Sequence, residues 1–170
     1  MRTLLVIDML RDFIYKDCVL PANGAKKLIP QINYKIIEFR ERNEPIIFIC
    51  DSHDEMDEEF DMWGRHAVEG TEGAEIIDEL NRREYDIVVT KKRFSAFYNT
   101  DLEKILKGLN VDTLVITGVV TDICILHTAA DATMRGFKVI VPENCVATVD
   151  EEKQKWGLRH IKEVLGGRID

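Results

Sequence analysis

No apolar run in this chain approaches the roughly 20 residues that a membrane-spanning helix requires, and none is expected to cross a bilayer. The apolar start Leu4–Ile7 is interrupted by Asp8 and does not read as an export signal. Cys18, Cys50, Cys124 and Cys145 show no CxxC spacing. Scattered cysteines without an export signal read as reduced thiols in a cytoplasmic protein. A basic surplus is also missing: the net charge is −8, and Lys91-Lys92-Arg93 is the densest basic run. That balance excludes a nucleic-acid surface and leaves three residues as weak evidence for phosphate binding. Internal repeats, linkers and low-complexity segments are absent too.

What is present is enough apolar material for one core. The chain has 170 residues, 45% of them apolar, which predicts a single domain over residues 1–170. Short β-branched runs at Thr3–Ile7, Pro45–Cys50, Asp86–Thr90, Thr113–Thr117 and Phe137–Val141 suit strands covered on both faces. Helical patterns lie between them at about Ala25–Arg42, Ala74–Arg82, Asp101–Leu109 and Thr121–Arg135. Pro30 blurs the start of the first, since proline is tolerated only near a helix beginning. Thr148 and Glu151 have capping-box spacing for a last helix over about Asp150–Leu165, and Gly166–Asp170 has room for a short edge strand. Repeated β-α units predict a parallel sheet between two helical layers.

Ligands in such sheets bind beyond the carboxyl ends of the strands. That rule selects Asp8, Asp51, Lys91 and the turn Val119–Cys124. Thr121 and Asp122 are candidate N-caps, which places Cys124 in the first turn of the next helix. The positive end of a helix favours thiolate over thiol, and thiolate is the nucleophile. A lone cysteine in an amphipathic helix also reads as a small buried hydrophobe. Asp8 reads as a turn cap or a site acid, and Lys91 as a solvated lysine or a site cation. Together, Asp8, Lys91 and Cys124 supply a base, a cation and a nucleophile from three strand ends.

Asp8 in DMLRDF, Lys91 in KKRFSAF and Cys124 in GVVTDICILHTAADA resemble the Asp-Lys-Cys triad of the isochorismatase-like cysteine hydrolases. The match runs nearly the whole chain, in the family's order and spacing. It implies a three-layer α/β/α fold around a six-stranded, mostly parallel sheet. It also implies a cis peptide between Val119 and Val120, and an oxyanion hole made by the N–H groups of Val120 and Cys124. Members of the family are often dimers or tetramers, so the resemblance implies a homo-oligomer.

The long irregular stretch Asp51–Gly73 separates the branches of that family. Asp51 and His53 form a DxH pair, and His66 lies 13 residues beyond His53. Spacing alone leaves two readings, a solvated acidic loop with two histidines or a divalent-metal site with open positions. Asp51, His53 and His66 fall where nicotinamidases carry their metal ligands, and Glu59 matches an additional carboxylate ligand in some of them. Trp63 and Phe13 match aromatic walls that hold a pyridine ring. The resemblance therefore implies a metal-containing amidohydrolase that turns nicotinamide and water into nicotinate and ammonia. His and carboxylate ligands suit Zn²⁺, with Mn²⁺, Fe²⁺ and Ni²⁺ as alternatives. Carbamoyl-compound amidases, including one acting on N-carbamoylsarcosine, share the triad and a similar loop. Isochorismatase proper and a binding protein that lost activity are the further alternatives.

Overall fold

The computed structural model describes residues 1–15, 22 and 24–170. Seven strands form one sheet: β1 (Arg2–Ile7), β2 (Ile46–Asp51), β3 (Ile87–Lys91), β4 (Thr113–Val119), β5 (Lys138–Val141), β6 (Val146–Ala147) and β7 (Arg168–Ile169). Their order is β3-β2-β1-β4-β5-β7, with β6 paired to the end of β4, and every pairing is parallel. The expected six-stranded sheet gains the two-residue β6. Six α-helices are described: α1 (Arg11–Ile14), α2 (Ile29–Glu41), α3 (Phe60–Trp63), α4 (Leu102–Gly108), α5 (Leu126–Met134) and α6 (Glu151–Glu163). Among the described residues, no helix is long and apolar enough to cross a membrane.

Each central strand is buried on both faces, and alternation divides its side chains between two cores. Leu5 and Ile7 of β1 pack with Ile47, Ile49, Leu114 and Ile116 beneath α4, α5 and α6. Leu4 and Val6 pack with Phe48, Val115 and the α2 residues Ile32, Ile36 and Phe39 on the other side. Burying one such side chain contributes about 1.5–3 kcal/mol, so the two cores hold the sheet rigid. The chain winds outward from β1 through β2 to β3, then crosses back to β4 on the other flank of β1. The ends of β1 and β4 therefore meet at the reversal of strand order, where the register pairs Ile7 with Gly118.

Helix boundaries and caps differ from the sequence reading in four places. The Ala74–Arg82 helix does not form. Only a 3₁₀ turn, Glu72–Ala74, lies there, because the backbone bonds the β1–α1 link instead: Arg11 N–H donates to Glu75 O and Ile77 N–H to Met9 O. Ile77 and Leu80 are still buried, and it is their spacing that imitates a helix. The segment Ala25–Leu28 is a 3₁₀ lead-in, and Pro30 falls in the first turn of α2. Thr121 and Asp122 cap nothing. Thr121–Ile125 is a π-helical turn ahead of α5, with Thr121 bonded to Gln154 and Asp122 to Thr148. Asp150, not Thr148, caps α6 by accepting from Lys153 N–H at 2.8 Å.

Candidate active site

Asp8 is the first residue past β1, and its φ of 53° turns the chain sharply out of the sheet. Its N–H still bonds Ile49 O at 2.9 Å, and its carboxylate accepts the Asp51 N–H at 3.0 Å. Gly118 makes room for this turn. Its φ is +110°, and a Cβ there would lie far inside contact distance of the Ile7 carbonyl. Lys91 ends β3, with its ammonium fully buried. It lies 2.9 Å from Asp8 Oδ2, bonds Asp51 Oδ1, and donates to Cys124 Sγ at 3.5 Å. Asp51 and Cys124 accept its hydrogen bonds, and Asp8 pairs with it through charge. The triad positions read from the sequence thus converge from β1, β3 and the turn after β4. The Val119–Val120 peptide is cis, as the resemblance implied.

The electrostatics follow from two carboxylates sharing one lysine in a dry place. Burial works against the Lys91 ammonium, but Asp51 and Asp8 outweigh it and raise its pKa well above that of a free lysine. Burial and the Asp51 charge push Asp8 up to about 6, against the pull of Lys91. Asp51 goes the other way: Lys91 and His53 overcome its burial and lower it. Burial raises the Cys124 thiol well above its usual range, with Lys91 opposing and Asp8 and Asp51 adding to the rise. This burial works against the preference for thiolate that a helix start would give. Burial therefore favours the protonated thiol, next to a carboxylate whose pKa is itself raised. Cys50 and Cys145 are also free and buried, pushed up to about 12 and about 11 by desolvation. Cys18 lies outside the described residues.

The loop after β2 folds back on itself. His53 N–H donates to Ala67 O and Glu69 N–H to His53 O, both at 2.9 Å, and Asp12 Oδ2 accepts the Ala67 N–H at 2.8 Å. Asp51, His53 and His66 each bring one donor atom within 4.8 Å of the others. The two imidazole rings are 4.7 Å apart, and Phe60 meets both edge-on. His66 Nδ1–H donates to Gly64 O at 2.7 Å, which leaves Nε2 as its free donor atom. His53 Nε2 and Glu59 Oε2 are buried with no hydrogen-bond partner among the described residues. Orphaned lone pairs on an imidazole and a carboxylate, beside Asp51, are a donor set that suits a divalent cation. Glu59 stands outside the tight trio and groups with His53 and Asp57. Burial lowers the His66 pKa, which favours the neutral ligand form.

Both groups open on one cavity of about 210 Å³. Asp8, Asp51, Cys124, Val120, Glu59 and His66 all line it, and Phe13 and Trp63 contribute to the walls. Of the residues singled out from the sequence, Lys91 and His53 do not line the cavity; Lys91 sits against Asp8, Asp51 and Cys124, and His53 against His66 and Asp51. Sequence reasoning missed Phe94, Ile123 and Val149 in the walls. Phe94 sits inside the KKRFSAF motif and meets the His127 ring at a tilt, centroids 5.4 Å apart, but nothing in the sequence marks Val149. The basic run has no phosphate role in view: Lys91 pairs as above, Lys92 with Asp54 and Arg93 with Asp57.

Solved structures share this fold over nearly the whole chain. The pyrazinamidase/nicotinamidase of Streptococcus mutans is 32% identical, covers 100% of both chains and superposes with a TM-score of 0.94. The pyrazinamidase of Pyrococcus horikoshii, in complex with zinc, is 33% identical over 99% of this chain and 98% of its own, with a TM-score of 0.94. The N-carbamoylsarcosine amidase of Thermoplasma acidophilum is 36% identical over 99% and 95% of the two chains, with a TM-score of 0.91. An isochorismatase domain profile matches residues 2–169, from the first residue of β1 to the last of β7, so that fold, strand-end chemistry and sequence agree: the chain belongs to the isochorismatase family.

Proposed function

We propose that this chain is a metal-containing cysteine amidohydrolase, one catalytic domain over residues 1–170, whose substrate is nicotinamide. The observation that carries the reading is the Asp8–Lys91–Cys124 contact set at the end of an aromatic cavity. Asp8 accepts the Cys124 proton as Sγ attacks the amide carbonyl. The N–H groups of Val120 and Cys124 hold the oxyanion of the tetrahedral intermediate. Asp8 then delivers its proton to the departing amine, so ammonia leaves and a nicotinoyl thioester remains. Water, deprotonated by Asp8, attacks the thioester. Nicotinate leaves, and the proton returns to Sγ. Lys91 stays charged throughout and offsets the negative charge that moves between Asp8 and Cys124.

Asp51, His53 and His66, with Glu59 nearby, are the residues that would hold the metal. When bound, a divalent ion such as Zn²⁺ supplies a Lewis-acidic position for a ring nitrogen. Phe13, Trp63 and Phe94 form walls suited to a flat ring. N-carbamoylsarcosine is the second reading, supported by the identity to the Thermoplasma amidase. Its carboxylate needs a cationic side chain, but the cavity lining described here contributes Asp8, Asp51 and Glu59 and neither Lys nor Arg. Lys91 is already paired with two carboxylates, Asp8 and Asp51.

Ammonia release from nicotinamide, benzamide and N-carbamoylsarcosine separates these readings. Turnover of nicotinamide, lost in Cys124→Ala, supports the proposal. Preference for N-carbamoylsarcosine overturns the substrate, and release from none of the three by the metal-loaded protein overturns the activity.

A further inference from the structure

His53 reaches the cluster of donor atoms through Nε2, and its other nitrogen has a partner of its own. Nδ1 lies 3.1 Å from Asp57 Oδ2, and the Asp57 side chain is 4% exposed. Asp57 is held in turn. Its Oδ1 accepts the Glu59 N–H at 2.9 Å, and Arg93 Nη1 is 3.1 Å from both of its oxygens. Asp57 stands on the loop and Arg93 follows β3, so the clamp ties the loop to the rigid sheet. A carboxylate facing Nδ1 accepts a hydrogen bond from its N–H and leaves the Nε2 lone pair bare. That is the nitrogen found buried without a partner. His53, Asp57 and Glu59 also bring donor atoms together, but the Arg93 guanidinium already supplies the cation beside Asp57, so a second metal there has no charge to satisfy.

We infer that Asp57 is a positioning residue: it fixes His53 in the Nδ1–H tautomer so that Nε2 is presented to the metal, and Arg93 holds Asp57 in place for that task. This rests on the metal site proposed above and adds a function for a residue that no sequence motif marked. Outer carboxylates of this kind orient imidazole ligands and raise their basicity, and losing one weakens metal affinity by about 10–100-fold. Glu59 depends on the same carboxylate through its backbone, so the clamp sets two groups of the donor cluster at once.

The test is zinc affinity of the chelator-stripped protein, measured against a competing chromophoric chelator, with the imidazole tautomers read by ¹⁵N NMR. Asp57→Ala is expected to weaken zinc about 10–100-fold and to remove the downfield Nδ1–H signal of His53 in the zinc-loaded protein. Asp57→Asn retains a neutral acceptor, and is expected to lose affinity by a smaller factor, at least fivefold, and to keep the signal. His53→Ala, a direct loss of a ligand, should bind zinc more weakly than either. Wild-type affinity in both Asp57 variants, with zinc lost in His53→Ala, overturns the positioning role and leaves the metal site standing. Wild-type affinity in His53→Ala overturns the metal site itself. Should Asp57→Ala fail to fold, the zinc-loaded wild-type spectrum decides: a His53 without a proton on Nδ1 refutes the inference.

Discussion

Replacing Asp8 by Asn should make the protein more stable at neutral pH while it removes turnover. The carboxyl is raised from an ordinary value of 3.8 to about 6 by burial and by Asp51. Its folded pKa lies above its unfolded one, so the folded state binds the proton more tightly. The contribution of the protonated form is present below about pH 4 and is lost as pH rises through 6. A shift of about 2 units corresponds to roughly 3 kcal/mol of destabilisation at pH 7.5. Asn has the same shape and tolerates the left-handed backbone that Asp8 adopts. Its amide oxygen can still accept the Asp51 N–H, but its amino group would face the Lys91 ammonium, a mismatch of about 1 kcal/mol. The net gain is about 2 kcal/mol, or roughly 6 °C in Tm for a domain of this size. Urea unfolding of wild type and variant, both with a chelator, at pH 7.5 and pH 4 gives the comparison. The advantage of Asp8→Asn should shrink toward pH 4. A variant less stable than wild type at pH 7.5, or an advantage that ignores pH, refutes the account of Asp8.

The pH dependence of kcat/KM should show an acid limb near pH 6, since only ionised Asp8 can accept the Cys124 proton; a flat profile from pH 5 to 7 contradicts that role. Asp8→Asn should lower kcat by about 10²–10⁴, and Lys91→Met should do comparable damage. The double variant should lose far less than the product of the two, which steady-state rates would show, because the residues act as a unit. Gly118→Ala should destabilise the fold by at least about 3 kcal/mol in urea titration, since the methyl group would drive into the Ile7 carbonyl beside Asp8. Benzamide, which has no ring nitrogen, should be a much poorer substrate than nicotinamide for the metal-loaded enzyme; equal kcat/KM values would exclude ring-nitrogen coordination.

The sheet was legible because its inner strands are buried on both faces and so read as unbroken β-branched runs. Its ends gave Asp8, Asp51 and Lys91 without further help, since the strand-end rule depends only on where those runs stop. The failed helix at Ala74–Arg82 shows the limit of periodicity: Ile77 and Leu80 are buried by a segment that bonds to the β1–α1 link. The helix-start preference for thiolate at Cys124 is opposed for a related reason. Proximity to a helix start is local, whereas the burial that raises this thiol is a property of the assembled sheet. Val149 and Asp57 were invisible because each matters only through partners distant in the chain or through a side-chain contact.

The central claim is that Cys124 attacks an amide carbonyl with Asp8 as its base. Ammonia release from nicotinamide by wild type and Cys124→Ala, with acid-quenched protein mapped by mass spectrometry, tests it most directly. The account predicts ammonia from wild type only and a nicotinoyl adduct confined to the peptide carrying Cys124. Ammonia release from Cys124→Ala at the wild-type rate would contradict it.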